Sequence, residues 1–331
     1  MKVLLTGGTG YIGSHTAVVL IEAGFDVVLL DNLSNSSESV VEKIEQITKK
    51  RPFFVKADVR NIGALKKIFN DIDIDIVIHF AGLKSVGESL ERPLSYFDSN
   101  VLGTINLLSV MNDHDVKNLV FSSSATVYGK PAYLPLDEKH STGPLNPYGQ
   151  TKLHIEQMLY YHGVSDPDWR ISTLRYFNPV GAHESGLIGE NPIGKPNNLM
   201  PYIAKVAMKS LPLLHIFGND YDTDDGTGVR DYLHVMDLAD GHLAAVGELK
   251  KRSSSYEIFN LGTGVGTSVT QLVHAFAEAN NVDIPVSISP RRIGDVPVCF
   301  ADASKANDVL GWKAQRSVYD MCISAWRFVQ R

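Results

Sequence analysis

The chain has 331 residues, 44% hydrophobic and 21% charged, with a formal net charge of −6. That balance suits a globular enzyme of one large or two smaller domains, whose core needs neither disulfide nor metal. It argues against a nucleic-acid surface. No apolar run approaches the ~18 residues of a membrane span, and Met1-Lys2 leads straight into a strand with no signal-peptide plan, so a cytoplasmic protein is expected. Cys299 and Cys322 stand 23 residues apart with no C-x-x-C pair, which fits reduced thiols and gives no zinc framework.

Val3-Leu4-Leu5 is a short apolar run of the kind a central parallel strand requires. The turn after it carries Gly7, Gly10 and Gly13, and a helix is predicted over about Tyr11 to Ala23. The unpaired N–H groups and dipole of that helix favour an anionic oxygen. The glycines allow a tight turn, close approach of a phosphate, and close helix–strand packing. The spacing is G-x-x-G-x-x-G, a variant of the commonest dinucleotide fingerprint. A second strand, Asp26–Leu30, runs into Asp31, 18 residues beyond Gly13. An acid at about that offset binds an adenosine ribose. A carboxylate there would repel a 2′-phosphate, so NAD is expected rather than NADP.

Further strands are predicted at Phe53–Lys56, Ile76–His79, Asn118–Ser122 and Ile171–Arg175. Helices are predicted near Ser36–Lys49, Ile62–Asn70, Val86–Asn112 and Pro147–His162. Strand–helix alternation of this kind predicts a Rossmann-like, doubly wound parallel sheet with ligands beyond the carboxyl ends of its strands. Asp58, Phe80-Ala81-Gly82 and Ser122-Ser123-Ser124 fall at such ends. After Phe177 prolines and glycines loosen the pattern, which reads as a smaller α/β substrate domain over 178–331. The His234–Leu249 helix, and part of 230–262, could pack back on the first domain.

Asn146-Pro147 is a helix start, with a capping asparagine and proline in the first position. Tyr148 then lies in the first turn and Lys152 four residues on, on the same face. Moving a phenol from about 10 to about 7 needs roughly 4 kcal/mol. Two cations at ~7 Å with an effective dielectric near 20 supply roughly 5 kcal/mol, and Lys152 with an oxidised nicotinamide would provide two. Ser124, at a strand end, can bridge a substrate hydroxyl and the phenolate. The catalytic candidates are Tyr148, Ser124 and Lys152. Ser122 reads mainly as satisfying backbone groups.

The glycine turn, Asp31-Asn32-Leu33, the run from His79 to Lys84, Ser122–Tyr128 and Tyr148-x-x-x-Lys152 resemble the extended short-chain dehydrogenase/reductase superfamily. The segments Arg175–Ala182, Asn197–Pro201, Phe217–Tyr221 and Gly228–Tyr232 look, within it, like the UDP-glucose 4-epimerase family. The resemblance covers nearly the whole chain. It implies interconversion of UDP-glucose and UDP-galactose through a 4-keto sugar, with the C4 hydride held by a tightly bound NAD. It also implies galactose metabolism and a homodimer joined through the helices near Val86–Asn112 and Pro147–His162. By resemblance, NAD would contact Gly7, Gly10, Tyr11, Ile12, Gly13, Asp31, Asn32, Leu33, Ser34, Asn35, Ser36, Asp58 and Val59. It would also contact Phe80, Ala81, Gly82, Leu83, Lys84, Ser99 or Asn100, Ser122, Tyr148, Lys152 and Phe177. The UDP-sugar would meet Ser124, Thr126, Tyr148, Phe177, Asn178, Asn198, Leu199, His215, Ile216, Phe217, Arg230, Tyr232, Arg292, Asp295 and Cys299. Arg230 and Arg292 suit a diphosphate, since a guanidinium fork matches its oxygens.

Two positions depart from the family pattern. Its bacterial forms often have asparagine where Ser99 stands. Cys299 stands where strict hexose epimerases resemble one another in having tyrosine. The smaller side chain would widen the pocket near the sugar C2 and admit UDP-N-acetylgalactosamine; a cysteine merely filling a hole is the alternative. The nearest rival activity is a sugar-nucleotide 4,6-dehydratase or decarboxylase on the same fold. Dehydratases carry an Asp-Glu pair where this chain has Ala125-Thr126. A non-catalytic NAD sensor would not need Tyr148, Lys152 and Ser124 together. Asp220-x-Asp222-x-Asp224-Asp225-Gly226 resembles a calcium loop but lacks its glycine and terminal glutamate, and no metal is expected. His79 reads as a satisfied core residue, and no Gly-x-Ser-x-Gly is present.

Overall fold

A computed structural model describes residues 1–194, 196, 198–249, 251, 254–292 and 294–331. The first half runs β1 Lys2–Thr6, α1 Tyr11–Glu22, β2 Asp26–Asp31, α2 Ser39–Thr48, β3 Phe53–Lys56, α3 Ile62–Asp71 and β4 Ile76–His79. Then come α4 Val86–Glu91, α5 Pro93–Tyr96, a π-helical stretch Phe97–Leu102, α6 Gly103–Asp113, β5 Asn118–Ser124, α7 Pro147–Ser165 and β6 Arg170–Tyr176. The second half runs β7 Asn178–Val180, α8 Leu199–Ala207, β8 Leu214–Phe217, β9 Val229–Arg230, β10 Tyr232–His234, α9 Val235–Leu249, β11 Tyr256–Leu261 and β12 Thr267–Ser268. It closes with α10 Val269–Asn280, β13 Val286–Ser289, β14 Val298–Cys299, α11 Ser304–Leu310 and α12 Val318–Val329.

Seven parallel strands form one sheet in the order β11-β6-β5-β4-β1-β2-β3. The strand order reverses between β1 and β4, the switch point where open sheets of this class bind ligands. Side chains alternate across the sheet. Val3, Leu5, Val27, Leu29, Ile76 and Ile78 enter one core, and Leu4, Val28, Leu30 and Val77 the other. Both faces are therefore covered, as runs of unbroken apolar residues require.

Three differences from the sequence reading have physical causes. The helix predicted over Val86–Asn112 is broken. Pro93 has no N–H to continue α4, and it starts α5 at that helix's first position. The chain then passes through the π-helical stretch before α6. Three strands also run further than predicted, so that Asp31, Ser124 and Tyr176 are the last residues of β2, β5 and β6. The seventh strand, β11, comes from the second half and pairs with β6, while α9 packs against α1. α11 joins α9 and β11 there, with Ala306 and Trp312 in the same core, whereas α8, β8, α10 and α12 build a separate core around Met200, Ile203, Ile216, Leu272, Phe276 and Met321. No described helix is long and apolar enough to cross a membrane.

Candidate active site

The turn after β1 is built from backbone. Gly7 has φ +70°, and a Cβ there would lie 2.8 Å from the Ala81 nitrogen. A Cβ on Gly13 would lie 2.4 Å from the Gly7 oxygen, and one on Gly10 at 3.1 Å from it. The turn thus closes on itself and on the loop after β4, at the switch point. The N–H groups of Gly7 and Gly8 both reach the Leu30 carbonyl, at 2.7 and 3.2 Å, which ties the turn to the end of β2. The first N–H groups of α1 have no helical acceptor. This cradle, a short strand, a side-chain-free turn and a helix start, has the features that hold a pyrophosphate.

Asp31, at the end of β2, is oriented by three donors. Thr9 N reaches Oδ2 at 3.2 Å, while Leu33 N and the Ser36 hydroxyl reach Oδ1 at 2.9 and 3.0 Å. Leu33 takes φ 61°, a left-handed turn that lets its N–H fold back to the acid. The Asn32 amide donates to Asp58 at 2.9 Å. Arg60 forks the same carboxylate and holds it well below the usual carboxylate range. Ser34 N bonds the Asn32 side chain at 2.9 Å, and Asn35 accepts from Ile193 N at 3.3 Å.

Across the switch point, Gly82 faces the Asn100 amide oxygen. That amide accepts from Leu83 N at 2.8 Å and donates to Leu83 O at 3.1 Å and Thr151 Oγ1 at 2.9 Å. Asn100 is buried, so its amide is fully engaged in joining the β4 loop to α7; Ser99 beside it is half-buried. Val59 is buried against Gly103, Ile12 packs on the sheet core, and the Phe80 ring lies 4.8 Å from that of His242. His79 is indeed a satisfied core residue. The Thr104 hydroxyl donates to Asn100 O at 2.6 Å, so it accepts from His79 Nε2 at 2.9 Å, leaving Nδ1 to accept from Thr6 at 2.6 Å.

Ser124, Tyr148 and Lys152 come together where β5 ends and α7 begins. Asn146 caps α7 through Gly149 N at 2.9 Å, with Pro147 in the first position. Lys152 is buried, its ammonium donating to Ser122 O at 2.6 Å and lying 4.9 Å over the Phe121 ring. Burial brings it down to about 8, with Glu156 pulling it back up. Burial raises the Tyr148 phenol above its ordinary value, and the neighbouring Ser124 hydroxyl opposes that rise. The Ser124 oxygen also accepts from Thr126 N at 3.2 Å and Thr126 Oγ1 at 3.0 Å.

The opposite wall comes from the second half. β9 runs between β12 and β14, pairing Arg230 with Cys299 and with Thr267. The Arg230 guanidinium bonds Val229 O at 2.9 Å and stands 3.7 Å from Asp295. Arg292 is exposed, 4.0 Å over the Phe217 ring. Phe177 and Cys299 share a cluster with Val127, Tyr128 and Ala125, which puts the cysteine beside the end of β5. Burial pushes its thiol up to about 11, so it stays protonated. Tyr232 and Ile216 are buried. Asn178 N donates to Asp231 O at 2.9 Å. His215 Nδ1 lies 3.2 Å from the Ser289 hydroxyl. Leu199 opens α8 after Asn198. Asn197 lies outside the described residues. In the calcium-like run, Asp220 pairs with Arg291 at 2.7 Å and Asp225 accepts from Thr227.

Three functional-looking acids escaped the sequence reading. Glu190, in the long loop after β7, accepts from Lys84 at 2.8 Å and from the Asn198 amide at 2.6 Å. It thus bridges one residue expected at the cofactor and one expected at the sugar nucleotide, and its Oε2 is buried without a partner. Its charge also helps to raise the nearby Tyr11 phenol, after burial, which is the main cause; the Tyr11 hydroxyl itself donates to Gly181 O at 2.7 Å. Asp231 is fully buried and accepts from Thr263 N, Thr263 Oγ1, Gly264 N and Ala301 N at 2.6–3.1 Å. It holds the strand that carries Arg230. Glu156 is bound by Arg175 and Ser123. A single acid, whether in a loop or on a helix, leaves no pattern in the sequence, though Asp231 lies inside a quoted motif.

A family model described as GDP-mannose 4,6 dehydratase matches residues 4–324. The chain is 52% identical over 327 residues to the UDP-glucose 4-epimerase of Dictyostelium discoideum, covering 99% of this chain and 95% of that protein. The solved UDP-glucose-4-epimerase of Stenotrophomonas maltophila, with bound NAD and formylated UDP-arabinopyranose, superposes with a TM-score of 0.97 at 52% identity, covering 100% and 98% of the two chains. That of Bifidobacterium longum, in complex with NAD+ and UDP, gives 0.97 at 50% identity over 100% and 98%. With this identity spread over the whole length, and a doubly wound sheet that carries the glycine turn, the chain belongs to the UDP-glucose 4-epimerase family of the extended short-chain dehydrogenases/reductases.

Proposed function

We propose that this chain is an NAD-dependent isomerase that interconverts UDP-glucose and UDP-galactose, in galactose metabolism. The observation that carries the reading is the convergence of Ser124, Tyr148 and Lys152 at the carboxyl end of β5, one strand from the switch point. The glycine cradle and the oriented Asp31 fit NAD: the first suits a pyrophosphate and the second an adenosine ribose without a 2′-phosphate. Lys84, Asn35 and Ser36 stand around them.

In this reading Tyr148 is the general base for the sugar 4-hydroxyl, and Ser124 bridges the two oxygens. Burial alone would keep the phenol protonated. The Lys152 ammonium, four residues along α7, opposes that and favours the phenolate. The chemistry that bound NAD would supply is reversible uptake of the C4 hydride, leaving a 4-keto sugar that turns over in the site and takes the hydride back on its other face. Tyr148 holds the proton during that interval and gives it back to O4, so net oxidation is zero. Arg230 and Arg292 bind the diphosphate, and Phe217, Leu199 and Asn198 the nucleotide end. The site has Ala125-Thr126 where elimination needs a carboxylic acid, which supports epimerisation over the dehydration named by the matching family model.

Two finer readings go with this. Cys299 lies beside Phe177 at the sugar end, and its small side chain leaves room for an N-acetyl group at C2. The exposed Leu90, Leu94 and Ile105, with Tyr161 and Val164 on α7, form the apolar faces of a homodimer contact. The reading divides the chain into an NAD domain over 1–177 and a sugar-nucleotide domain over 178–331, with α9, β11 and α11 returning to the first; the separate core of α8, β8, α10 and α12 supports it. The test is turnover of UDP-galactose and UDP-N-acetylgalactosamine by the parent and by Cys299→Tyr. The parent should convert both, and the variant only the first. No conversion of UDP-galactose would sink the function. Undiminished turnover of the acetylated sugar by the variant would sink the role of Cys299.

A further inference from the structure

Glu156 stands one helical turn beyond Lys152 on α7 and is 3% exposed. A buried carboxylate persists only with strong partners. The Ser123 hydroxyl donates to Oε1 at 2.5 Å, Arg175 Nε to Oε1 at 3.0 Å, and Arg175 Nη2 to Oε2 at 2.6 Å. Ser123 lies between the two residues that serve the site. Ser122 offers its carbonyl to the Lys152 ammonium, and Ser124 faces Tyr148. One carboxylate therefore fastens the end of β5 to α7, the two elements that carry the reacting groups, while β6 supplies the clamp.

We propose that Glu156, held by Ser123 and Arg175, is a positioning residue for the epimerisation: it keeps Lys152 charged and fixes the register between Ser124 and Tyr148. The proposal rests on the functional reading above. A carboxylate one turn away favours the ammonium against the cost of its burial. Arg175 in turn grips both oxygens of that carboxylate. The other ionisable groups around the pair are His79 of β4, Tyr176 of β6, Tyr256 of β11, and Tyr128 and Glu138 after β5. The tyrosines among them are raised chiefly by burial, and His79 is lowered to about 3, so all four stay neutral near pH 7. Burial raises Glu138 too, with the Asn260 N–H and Lys305 opposing it. That leaves Glu156 as the charge that supports Lys152 directly.

Glu156→Gln keeps an acceptor for Ser123 and Arg175 and removes the charge. Two readouts decide the matter in the protein as purified. The first is the pH at which Lys152 becomes reactive to trace acetic anhydride, read by mass spectrometry. The second is the alkaline limb of kcat for UDP-galactose. Both should move to lower pH by about one unit, a tenfold change in the ionisation constant, with KM within about twofold. Glu156→Asp, which keeps the charge, should bring both back toward the parent. If Glu156→Gln lowers the melting temperature but leaves both inflections in place, the pair is only structural and the proposal fails. Replacing the pair together, Glu156→Leu with Arg175→Met, is the kind of exchange that buried ion pairs tolerate. Should the single variant not fold, the double variant carries the test, and an unmoved inflection there overturns the proposal equally. A parent that labels as stated but does not convert UDP-galactose would count against the functional reading and leave the link between Glu156 and Lys152 standing.

Discussion

The two halves of the cleft are made of different material. On the nucleotide side the contacts are backbone: the turn of Gly7, Gly10 and Gly13 leaves no room for even a Cβ at its tightest point. On the sugar-nucleotide side they are long side chains, with Arg292 exposed over Phe217 and Arg230 resting on backbone carbonyls near Asp295. The first kind of surface is fixed when the sheet folds. The second can be rearranged, since an exposed arginine loses little by changing partners. A cofactor that must stay and a substrate that must leave would be served by that contrast.

The largest effect should follow from breaking the rigid side. Gly13→Ala would put a methyl 2.4 Å from a backbone oxygen that has nowhere to go. Overpacking of this sort costs about 3 kcal/mol, and a turn displaced to relieve the clash loses the shape that cradles a pyrophosphate. The purified variant should release far less nucleotide on denaturation than the parent does; equal amounts would contradict a backbone-built cradle. The same experiment on the adaptable side should look different. Arg292→Ala removes the charge proposed to meet the diphosphate and should raise KM for UDP-galactose about 10- to 100-fold. Retained nucleotide should not change. Loss of the cofactor in this variant would show that the two sides are not separable.

An effect on stability rather than on binding comes from pH. Burial keeps His15, His79 and His234 down at about 3 and His242 at about 4, against an ordinary 6.5. Between those values the unfolded chain binds protons that the folded one refuses. Stability is therefore complete above pH 6.5 and is lost as the pH falls toward 4. By pH 5 each histidine should remove about 2 kcal/mol. His15 and His79 lie under the nucleotide side, so bound cofactor should be lost along the same curve. Melting temperatures from pH 7.5 to 5 check this, and a flat profile would contradict it.

Legibility in the sequence followed the same contrast. Strands β1 to β6 showed because each is an apolar run bounded by turn residues, and the glycine turn showed because only glycine fits it. Tyr148 and Lys152 showed because Asn146-Pro147 marks the start of their helix. The single helix expected over Val86–Asn112 failed at Pro93, where a local backbone rule outweighs a continuing apolar period. Strand β11 is half polar on its partly buried start and joins the sheet across a long connection, so nothing local marks it as the partner of β6. Glu156, Glu190 and Asp231 were illegible for another reason. A buried acid is defined by its partners, and those of Glu190 come from positions as distant as Lys84.

The most direct test is the absorption spectrum of the purified Tyr148→Phe protein after addition of UDP-galactose, beside that of the parent. The parent should develop an NADH-like band with no added cofactor. The variant should retain its nucleotide, fail to develop the band at the parent's rate, and lose about 10²- to 10⁴-fold in turnover. A variant that forms the band and turns over like the parent would contradict the assignment of Tyr148 as the base.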